Sequence, residues 1–162
     1  MPFGFFAKKQ AEMRRKANLG KSIGEFKSHM ISLIRPMAKS TFDIHDPIGL
    51  RFLFMLRLEL SPLRSHKFNH NFADTDSNLC SCNDGAENTD HFFLKCSDFS
   101  NQRVILLESV NNIILDHNHN MHIAFDNYRF FLYGHHLLSL SDNKTLLQAS
   151  IKFIKDSKRF SN

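Results

Sequence analysis

The sequence predicts a small, mainly α-helical domain of about four helices, interrupted by a polar loop. Two observations indicate helices: apolar residues recur at helical spacing in several segments, and residues typical of helix starts precede those segments. A third observation indicates the loop, because all three cysteines fall within one short polar stretch. The chain has 162 residues, which suits one domain, and its 42% hydrophobic residues, with 17 Phe, can form a core.

Residues 1–20 are predicted to be a basic lead-in, helical or disordered, that precedes a helical domain of residues 21–160. Residues 1–40 carry nine Lys or Arg and two Glu, a net charge of +7. A basic arm of this kind attracts polyanions by releasing their counterions. A solvated helix face explains the same charge equally well. The basic residues that dominate the lead-in are Lys8, Lys9, Arg14, Arg15 and Lys16.

A first helix is predicted to begin at Ser22, because Ser22 and Glu25 have the spacing of a capping box. Pro36 ends it, since proline cannot continue a helix. The apolar residues at helical spacing between these ends are Ile23, Phe26, Met30, Leu33 and Ile34.

A second helix is predicted after Asp46, with Pro47 at its first position. Residues 48–60 are apolar on nearly every side, so we expect this helix to be buried all round. Residues 56–60 alternate between apolar and charged side chains, which leaves a strand open there, although the length of the segment favours helix. Ser61 and Pro62 close the element.

Two further helices are predicted in the second half of the chain. Asp98 or Ser100 can cap a helix that runs to about Leu115, with Phe99, Leu106, Val110 and Ile113 on one face. Residues 116–122 are interpreted as a loop, and residues 125–133 are too short and aromatic to assign. Ser141 or Asp142 caps the last helix, which runs to about Arg159. Its polar face is predicted to hold Gln148, Lys152, Lys155 and Arg159.

The polar loop contains the pattern C-x-C-x8-H-x4-C, formed by Cys80, Cys82, His91 and Cys96. Three thiolates and one imidazole complete the tetrahedral shell of a structural zinc ion, so we predict an inserted zinc-knuckle loop at residues 80–96. Asn83-Asp84-Gly85 supplies the turn that returns the chain, since Asn and Gly tolerate positive φ. Because His91 and Cys96 are five residues apart, a short turn or kinked helix must bring both inward, with residues 92–94 anchored on the core. The alternative is three reduced thiols beside a surface histidine.

Other histidines give weaker signals. His66 and His70 are one helical turn apart and precede the knuckle. They are interpreted as donors behind the metal ligands, as phosphate contacts together with Lys67, or as ordinary packing residues, the interpretation we favour. His117, His119 and His122 lie on an Asn-rich segment that is interpreted as a solvated loop.

Several classes of protein are disfavoured by the sequence. Arg57 and Glu59 interrupt the most apolar segment, so no membrane span is expected. The N-terminus has the wrong order of charges for a secretory signal and three Cys is an odd number, so we expect an intracellular protein, in the nucleus or cytoplasm. No nucleotide-binding glycine loop, nucleophile elbow or catalytic carboxylate cluster occurs, so the chain is not expected to be an enzyme.

Four segments together resemble the region that follows the polymerase in reverse transcriptases of non-LTR retrotransposons, of the LINE or jockey-like kind: residues 56–72, 80–83, 87–96 and 151–160. The resemblance covers roughly residues 20–160. It implies a Cys-Cys-His-Cys zinc knuckle that helps to hold RNA or DNA, with Cys80, Cys82, His91 and Cys96 as its ligands. The polymerase acids and the endonuclease domain of that family have no counterpart in this sequence, so the chain resembles a tail fragment whose apolar helix faces could drive self-association.

Three functional hypotheses follow. The first is a non-catalytic accessory module that binds RNA or DNA through the basic lead-in, the pair His66-Lys67 and the face of Lys152, Lys155 and Arg159. The second is a structural or protein-interaction remnant, favoured by the net charge of −5 in residues 71–100, which repels phosphate. The third, implied only by the resemblance, is RNA-directed DNA polymerase activity, which the sequence disfavours.

Overall fold

The computed structural model describes residues 40–116 and 127–161, and all of them lie in the unit formed by residues 37–162. The described residues are mainly helical, as predicted. The boundary predicted at residue 20, the helix predicted from Ser22 and the histidines at 117, 119 and 122 lie outside them.

Five α-helices account for half of the described residues. They are α1 (Pro47–Arg57), α2 (Arg64–Asn69), α3 (Ser100–Asp116), α4 (Arg129–Tyr133) and α5 (Leu140–Asp156). A π-helix (His91–Lys95) and a 3-10 turn (Ser97–Phe99) precede α3. Apart from one antiparallel bridge between Leu79 and Ala86, the described ranges contain no β-structure. None of their helices combines the length and the apolar character that a membrane crossing requires.

Helix α1 begins as predicted, since the Asp46 carboxylate accepts a hydrogen bond from the Gly49 N–H at 2.9 Å and Pro47 follows the cap. It ends earlier than predicted, at Arg57. Glu59 adopts a positive φ of 56°, and the Leu60 N–H donates back to the Met55 carbonyl at 2.9 Å, which is a Schellman ending. The alternative of a strand at residues 56–60 is therefore wrong.

The expectation that this helix is buried all round is also wrong. Its buried residues are Gly49, Leu53 and Leu56, on one side. Ile48 is 60% exposed, and Leu58, just beyond the helix, is 65% exposed. The sequence pattern overstated burial because apolar residues also occupy the solvent side of this helix.

Helix α5 is the centre of the domain and packs against α1, α3 and α4. Its cap is Ser139 rather than Ser141 or Asp142: the Ser139 hydroxyl accepts the Asp142 N–H at 3.1 Å and donates to the Asp142 carboxylate at 2.5 Å. The helix ends at Asp156, so Arg159 lies beyond it and not on its polar face. The inward side is formed by Leu146, Leu147, Ser150, Ile151, Phe153 and Ile154.

Phenylalanine rings fill the core between α5 and the π-helix. Phe92 is fully buried. Its ring centroid lies 5.1 Å from that of Phe153, 5.0 Å from that of Phe99 and 5.7 Å from that of Phe160. Phe93, also fully buried, stacks on Phe131 of α4 at 5.6 Å. Aromatic pairs at these separations stabilise a fold beyond the area that they bury. The predicted anchoring of residues 92 and 93 on the core is confirmed.

Helix α4 occupies residues 129–133 of the segment that the sequence left unassigned, of which residues 125 and 126 lie outside the described ranges. It ends at Tyr133, and the positive φ of 78° at Gly134 turns the chain toward α5. The turn is held by Asn143 of α5, which is 1% exposed and whose side-chain amide donates to the carbonyls of His135 and Leu138. One buried side chain thus provides hydrogen-bond partners for backbone groups of the loop between α4 and α5.

Gly49 is the point of closest approach between α1 and α5. A Cβ at this position would overlap the Cγ2 atom of Ile151, which is 3% exposed, and would lie 2.7 Å from the Asp46 carboxylate oxygen. We therefore expect Gly49→Val to destabilise the domain by about 2 kcal/mol, because overpacking forces the two helices apart. Urea denaturation measures the effect. Asn112→Val, at an exposed position of α3, is the control and should change stability by no more than about 0.5 kcal/mol. Equal stability of the two variants would contradict the predicted close packing.

Candidate metal centre

The structure brings the four predicted metal ligands together. One ligand atom from each of Cys80, Cys82, His91 and Cys96 lies within 4.8 Å of all the others. The Sγ atoms of Cys80 and Cys96 are 3.6 Å apart, and the Cys82 Sγ lies 3.2 Å from Nε2 of His91. Cys80, His91 and Cys96 are buried, whereas Cys82 is half-buried. This group could hold one metal ion.

The first half of the centre is a tight turn. The Cys80 N–H donates to the Gly85 carbonyl at 2.9 Å, and the Asn83 N–H donates to the Cys80 carbonyl at 3.0 Å. Asn83 has φ of 62° and Gly85 has φ of 111°, as the sequence predicted for this turn. The reversal places Cys80 and Cys82 on the same side of the loop, facing His91 and Cys96.

The second half of the centre is the π-helix His91–Lys95. The Cys96 N–H donates to the His91 carbonyl at 2.7 Å, an i→i+5 bond, so residues five apart in sequence come to lie one turn apart. The Asn88 side chain accepts the His91 N–H at 2.8 Å and fixes the start of this turn. The kinked helix predicted from the His91–Cys96 spacing is therefore a single π-turn.

The side chain of Arg103, in α3, supports the centre by hydrogen-bonding to the backbone of the π-turn. Its guanidinium donates to the carbonyls of Phe93 and Cys96, at 2.7 Å each, and so satisfies backbone groups that the π-turn leaves unpaired. Burial lowers the pKa of this guanidinium, and the nearby Cys96 sulfur opposes that shift. Arg103 therefore places a cation next to a site that gathers thiolates.

The three thiols differ in their surroundings. Burial raises the pKa of Cys96 to about 12, so this thiol is protonated near neutral pH when no ion is bound. A hydrogen bond from the Asp84 N–H lowers the pKa of Cys82. Because metals bind thiolates, a bound ion must displace the Cys96 proton.

Glu87 joins the loop to the rest of the domain. It is 3% exposed, and its carboxylate accepts two hydrogen bonds from Arg159, at 2.6 and 2.8 Å, and one from the Arg64 N–H at 2.8 Å. Arg159 also donates to the Pro62 carbonyl at 2.9 Å. The loop, the start of α2 and the segment after α5 therefore meet at one buried carboxylate.

The residues predicted to contact nucleic acid have different environments. His66 is 4% exposed. Its Nδ1 atom lies 2.7 Å from the Ser61 hydroxyl, and its Nε2 atom lies 3.3 Å from the Thr89 hydroxyl. Burial lowers the pKa of this imidazole. His66 is thus a packing residue, as the sequence favoured, and Arg159 is engaged with Glu87. The burial of His66 corrects its assignment as a nucleic-acid contact, whereas the Arg159 side chain pairs with Glu87 and keeps 27% of its area exposed.

The remaining predicted contacts lie at the surface, each beside a carboxylate. Lys67 pairs with Asp74 at 2.6 Å, Lys152 with Asp156 at 2.5 Å and Lys155 with Asp46 at 3.0 Å. Lys152 and Lys155 line a cavity of about 480 Å³ between α5 and the start of α1. The five basic residues of the lead-in, at positions 8, 9 and 14–16, lie outside the described residues.

Sequence reasoning missed two residues that shape this centre, Arg103 and Glu87. Arg103 had one usable signal, since it is the one basic residue in the helix that follows the last ligand. Glu87 had none, because its partner is 72 residues away. Comparisons with protein-family models, with curated proteins and with solved structures found no match to this chain.

Proposed function

We propose that this chain is a zinc-dependent nucleic-acid-binding module without catalytic activity of its own, like the region that follows the polymerase in non-LTR retrotransposon reverse transcriptases. The observation that carries the zinc part of the proposal is the convergence of the four ligand atoms within 4.8 Å. Three thiolates and one imidazole are a donor set typical of structural zinc, and four protein ligands leave no position for a substrate. Zinc would then supply stability rather than chemistry.

We propose that the zinc knuckle stabilises the fold and is not itself the surface that binds nucleic acid. Zinc with three thiolates has a net charge of −1, and residues 71–100 add a net −5. Phosphate is repelled by such a surface. Support for nucleic acid as the partner comes instead from the resemblance and from the charge of +7 in residues 1–40. The surface lysines Lys152 and Lys155 would add to it, since exposed ion pairs are weak and exchange readily.

A protein-interaction module is the second candidate, and one observation favours it. Leu58 and Leu60, just beyond the C-terminal end of α1, are 65% and 54% exposed. Exposed apolar residues of this size are typical of contact surfaces when they are contiguous. Self-association that is lost on Leu58→Ser and Leu60→Ser, without any affinity for nucleic acid, would favour this candidate.

Nucleic-acid binding by the zinc-loaded full chain tests the main proposal. We expect labelled single-stranded RNA to bind at low salt, with an affinity that falls steeply as salt rises. Changing Lys8, Lys9, Arg14, Arg15 and Lys16 together to Gln should lower the salt slope by about one unit for each phosphate that is no longer neutralised. Fluorescence anisotropy measures both quantities. Lys95→Gln, which removes a surface lysine already paired with Asp90, is the control.

Unchanged affinity of the five-residue variant would show that the lead-in is not the binding arm. No binding by the parent chain at low salt would contradict the proposed function as a whole. Primer extension by the isolated chain would contradict the proposal that it is not catalytic.

A further inference from the structure

Helix α2 and its C-terminal turn carry aromatic rings on the outside of the domain. Phe68 is 44% exposed and Phe72 is 54% exposed, although burial of a Phe ring is strongly favourable. Leu79, which follows in the loop toward the metal ligands, is 53% exposed. We call the surface formed by Arg64, Phe68, Phe72 and Leu79 the aromatic surface.

The backbone sets the order of these side chains. Arg64 and Phe68 are one helical turn apart, so they lie on the same face of α2, about 6 Å apart along its axis. Asn71, with φ of 56°, reverses the chain, and the Phe72 N–H donates to the Lys67 carbonyl at 3.1 Å. This Schellman turn brings Phe72 back beside the last turn of the helix. The Arg64 guanidinium donates to the Leu79 carbonyl at 3.1 Å, so Leu79 lies beside the first residue of α2, at the opposite end of the helix from Phe72.

Basic side chains lie in the same short segment as the rings. Residues 60–73 contain Arg64, Lys67 and the exposed His70, and no Asp or Glu, whereas Asp74 and Asp76 follow directly. Lys67 pairs with Asp74, but neither the Arg64 guanidinium nor His70 pairs with a carboxylate among the described residues. His70 is exposed at the C-terminal end of α2, close in sequence to both rings. Two exposed rings with basic side chains beside them favour a ligand that is both aromatic and anionic.

We propose that the aromatic surface binds single-stranded nucleic acid, with bases stacked on Phe68 and Phe72 and Arg64 against the phosphate backbone. Unpaired bases offer their faces to aromatic side chains, and cations beside the rings hold the backbone, whereas a duplex hides those faces. This inference rests on the proposed function and deepens it. It assigns the contact to α2, whereas the sequence placed it at His66 and Lys67.

The test compares the zinc-loaded full chain with its Phe68→Ala/Phe72→Ala variant, using a labelled oligouridine of about 12 nucleotides and a hairpin duplex as probes. We expect the variant to bind the single strand at least about tenfold more weakly, because each stacked base contributes through its ring. Its salt slope and its affinity for the duplex should be unchanged. Arg64→Gln should lower the salt slope by about one unit.

Two controls separate an effect on binding from an effect on folding. Both rings are exposed, so the double variant should keep its thermal transition and its zinc content. Leu137→Ala, at a residue that is 56% exposed and outside the aromatic surface, should leave affinity unchanged. Ultraviolet cross-linking of the oligouridine, followed by mass spectrometry, should place the cross-link within residues 64–72.

The outcomes are distinguishable. If the parent chain binds the oligouridine and the double variant binds it equally well, the inference is wrong and the proposed function stands. If the parent chain binds no nucleic acid at low salt, both are wrong. If the double variant instead abolishes self-association and leaves nucleic-acid affinity unchanged, the aromatic surface is a protein-docking site and the inference is overturned.

Discussion

Replacement of Cys96 by serine is expected to abolish stoichiometric zinc binding and to unfold the helical domain. Cys96 is fully buried and closes the π-turn that carries His91, Phe92 and Phe93. Binding of zinc by a four-ligand structural site contributes on the order of 10 kcal/mol, which is comparable to the whole stability of a small domain. Because Phe92 and Phe93 belong to the core, the effect of removing the ion should not be confined to the loop.

Native mass spectrometry and circular dichroism measure this expectation. The parent chain should carry one zinc ion and lose both the ion and its helical signal with a chelator, whereas Cys96→Ser should carry none at the outset. Ser97→Ala, next to the ligand at an exposed position, is the matched control and should behave as the parent does. A metal-free chain with an unchanged melting transition would rule out a structural role for the ion.

Replacement of Arg159 by methionine is expected to destabilise the domain by about 3–5 kcal/mol, because it leaves the Glu87 carboxylate buried without its cation. Glu87 is 3% exposed and would keep the Arg64 N–H as a donor, at 2.8 Å. One backbone hydrogen bond cannot compensate for the removal of a bidentate guanidinium at 2.6 and 2.8 Å. The charge, rather than the packing of the long side chain, is the larger part of the effect, since methionine retains most of the apolar volume.

A double-mutant cycle isolates that charge effect. Glu87→Gln in the Arg159→Met background should recover a large part of the lost stability, because it removes the unpaired carboxylate. Lys152→Met is the matched control: it removes a surface ion pair with Asp156 and should cost about 0.5 kcal/mol or less. Similar losses for Arg159→Met and Lys152→Met in chemical denaturation would show that the buried pair does not hold the loop in place.

Local signals in the sequence predicted the parts of the fold that local chemistry determines. The start of α1 at Asp46-Pro47 and the turn at Asn83 and Gly85 were predicted from residue types at fixed spacing. Helix α3 begins at Ser100, one of the two residues predicted to cap it, but Ser100 already has helical backbone angles. The metal group was likewise predicted from residue types and spacing, since its ligands lie between residues 80 and 96. Such features need few partners from elsewhere in the chain.

The ends of helices were harder to predict. Both α1 and α2 end in a Schellman turn whose left-handed residue is not glycine but Glu59 in one case and Asn71 in the other. Asn is the usual alternative to Gly at the left-handed position, whereas Glu does not indicate a helix end in the sequence. The short helix α2 was missed because it has too few residues for a period to emerge, and the five-residue π-turn was predicted only as a short turn or kinked helix, from the spacing of His91 and Cys96.

Contacts between distant segments could not be predicted at all. Arg159 was assigned to a polar helix face, although it is the partner of a carboxylate 72 residues earlier. His66 was placed among phosphate contacts because a histidine beside a lysine is chemically suited to that role, but its burial depends on residues 61 and 89. Charge and spacing along one segment do not indicate which side chains the tertiary fold removes from water.

The Glu87–Arg159 pair also bears on the order in which the domain assembles. The four ligands lie within one short loop, whose closure costs little chain entropy, so we expect this loop to gather its ion while later segments are still being synthesised. Glu87 must wait for a partner 72 residues further along, and the ring of Phe160 reaches Phe92 only at the same stage. During that interval the loop would hold a charged carboxylate and an unfilled hydrophobic face in water. We therefore expect a newly made chain to be most prone to aggregation after residues 80–96 have been made and before Arg159 and Phe160, beyond α5, are in place.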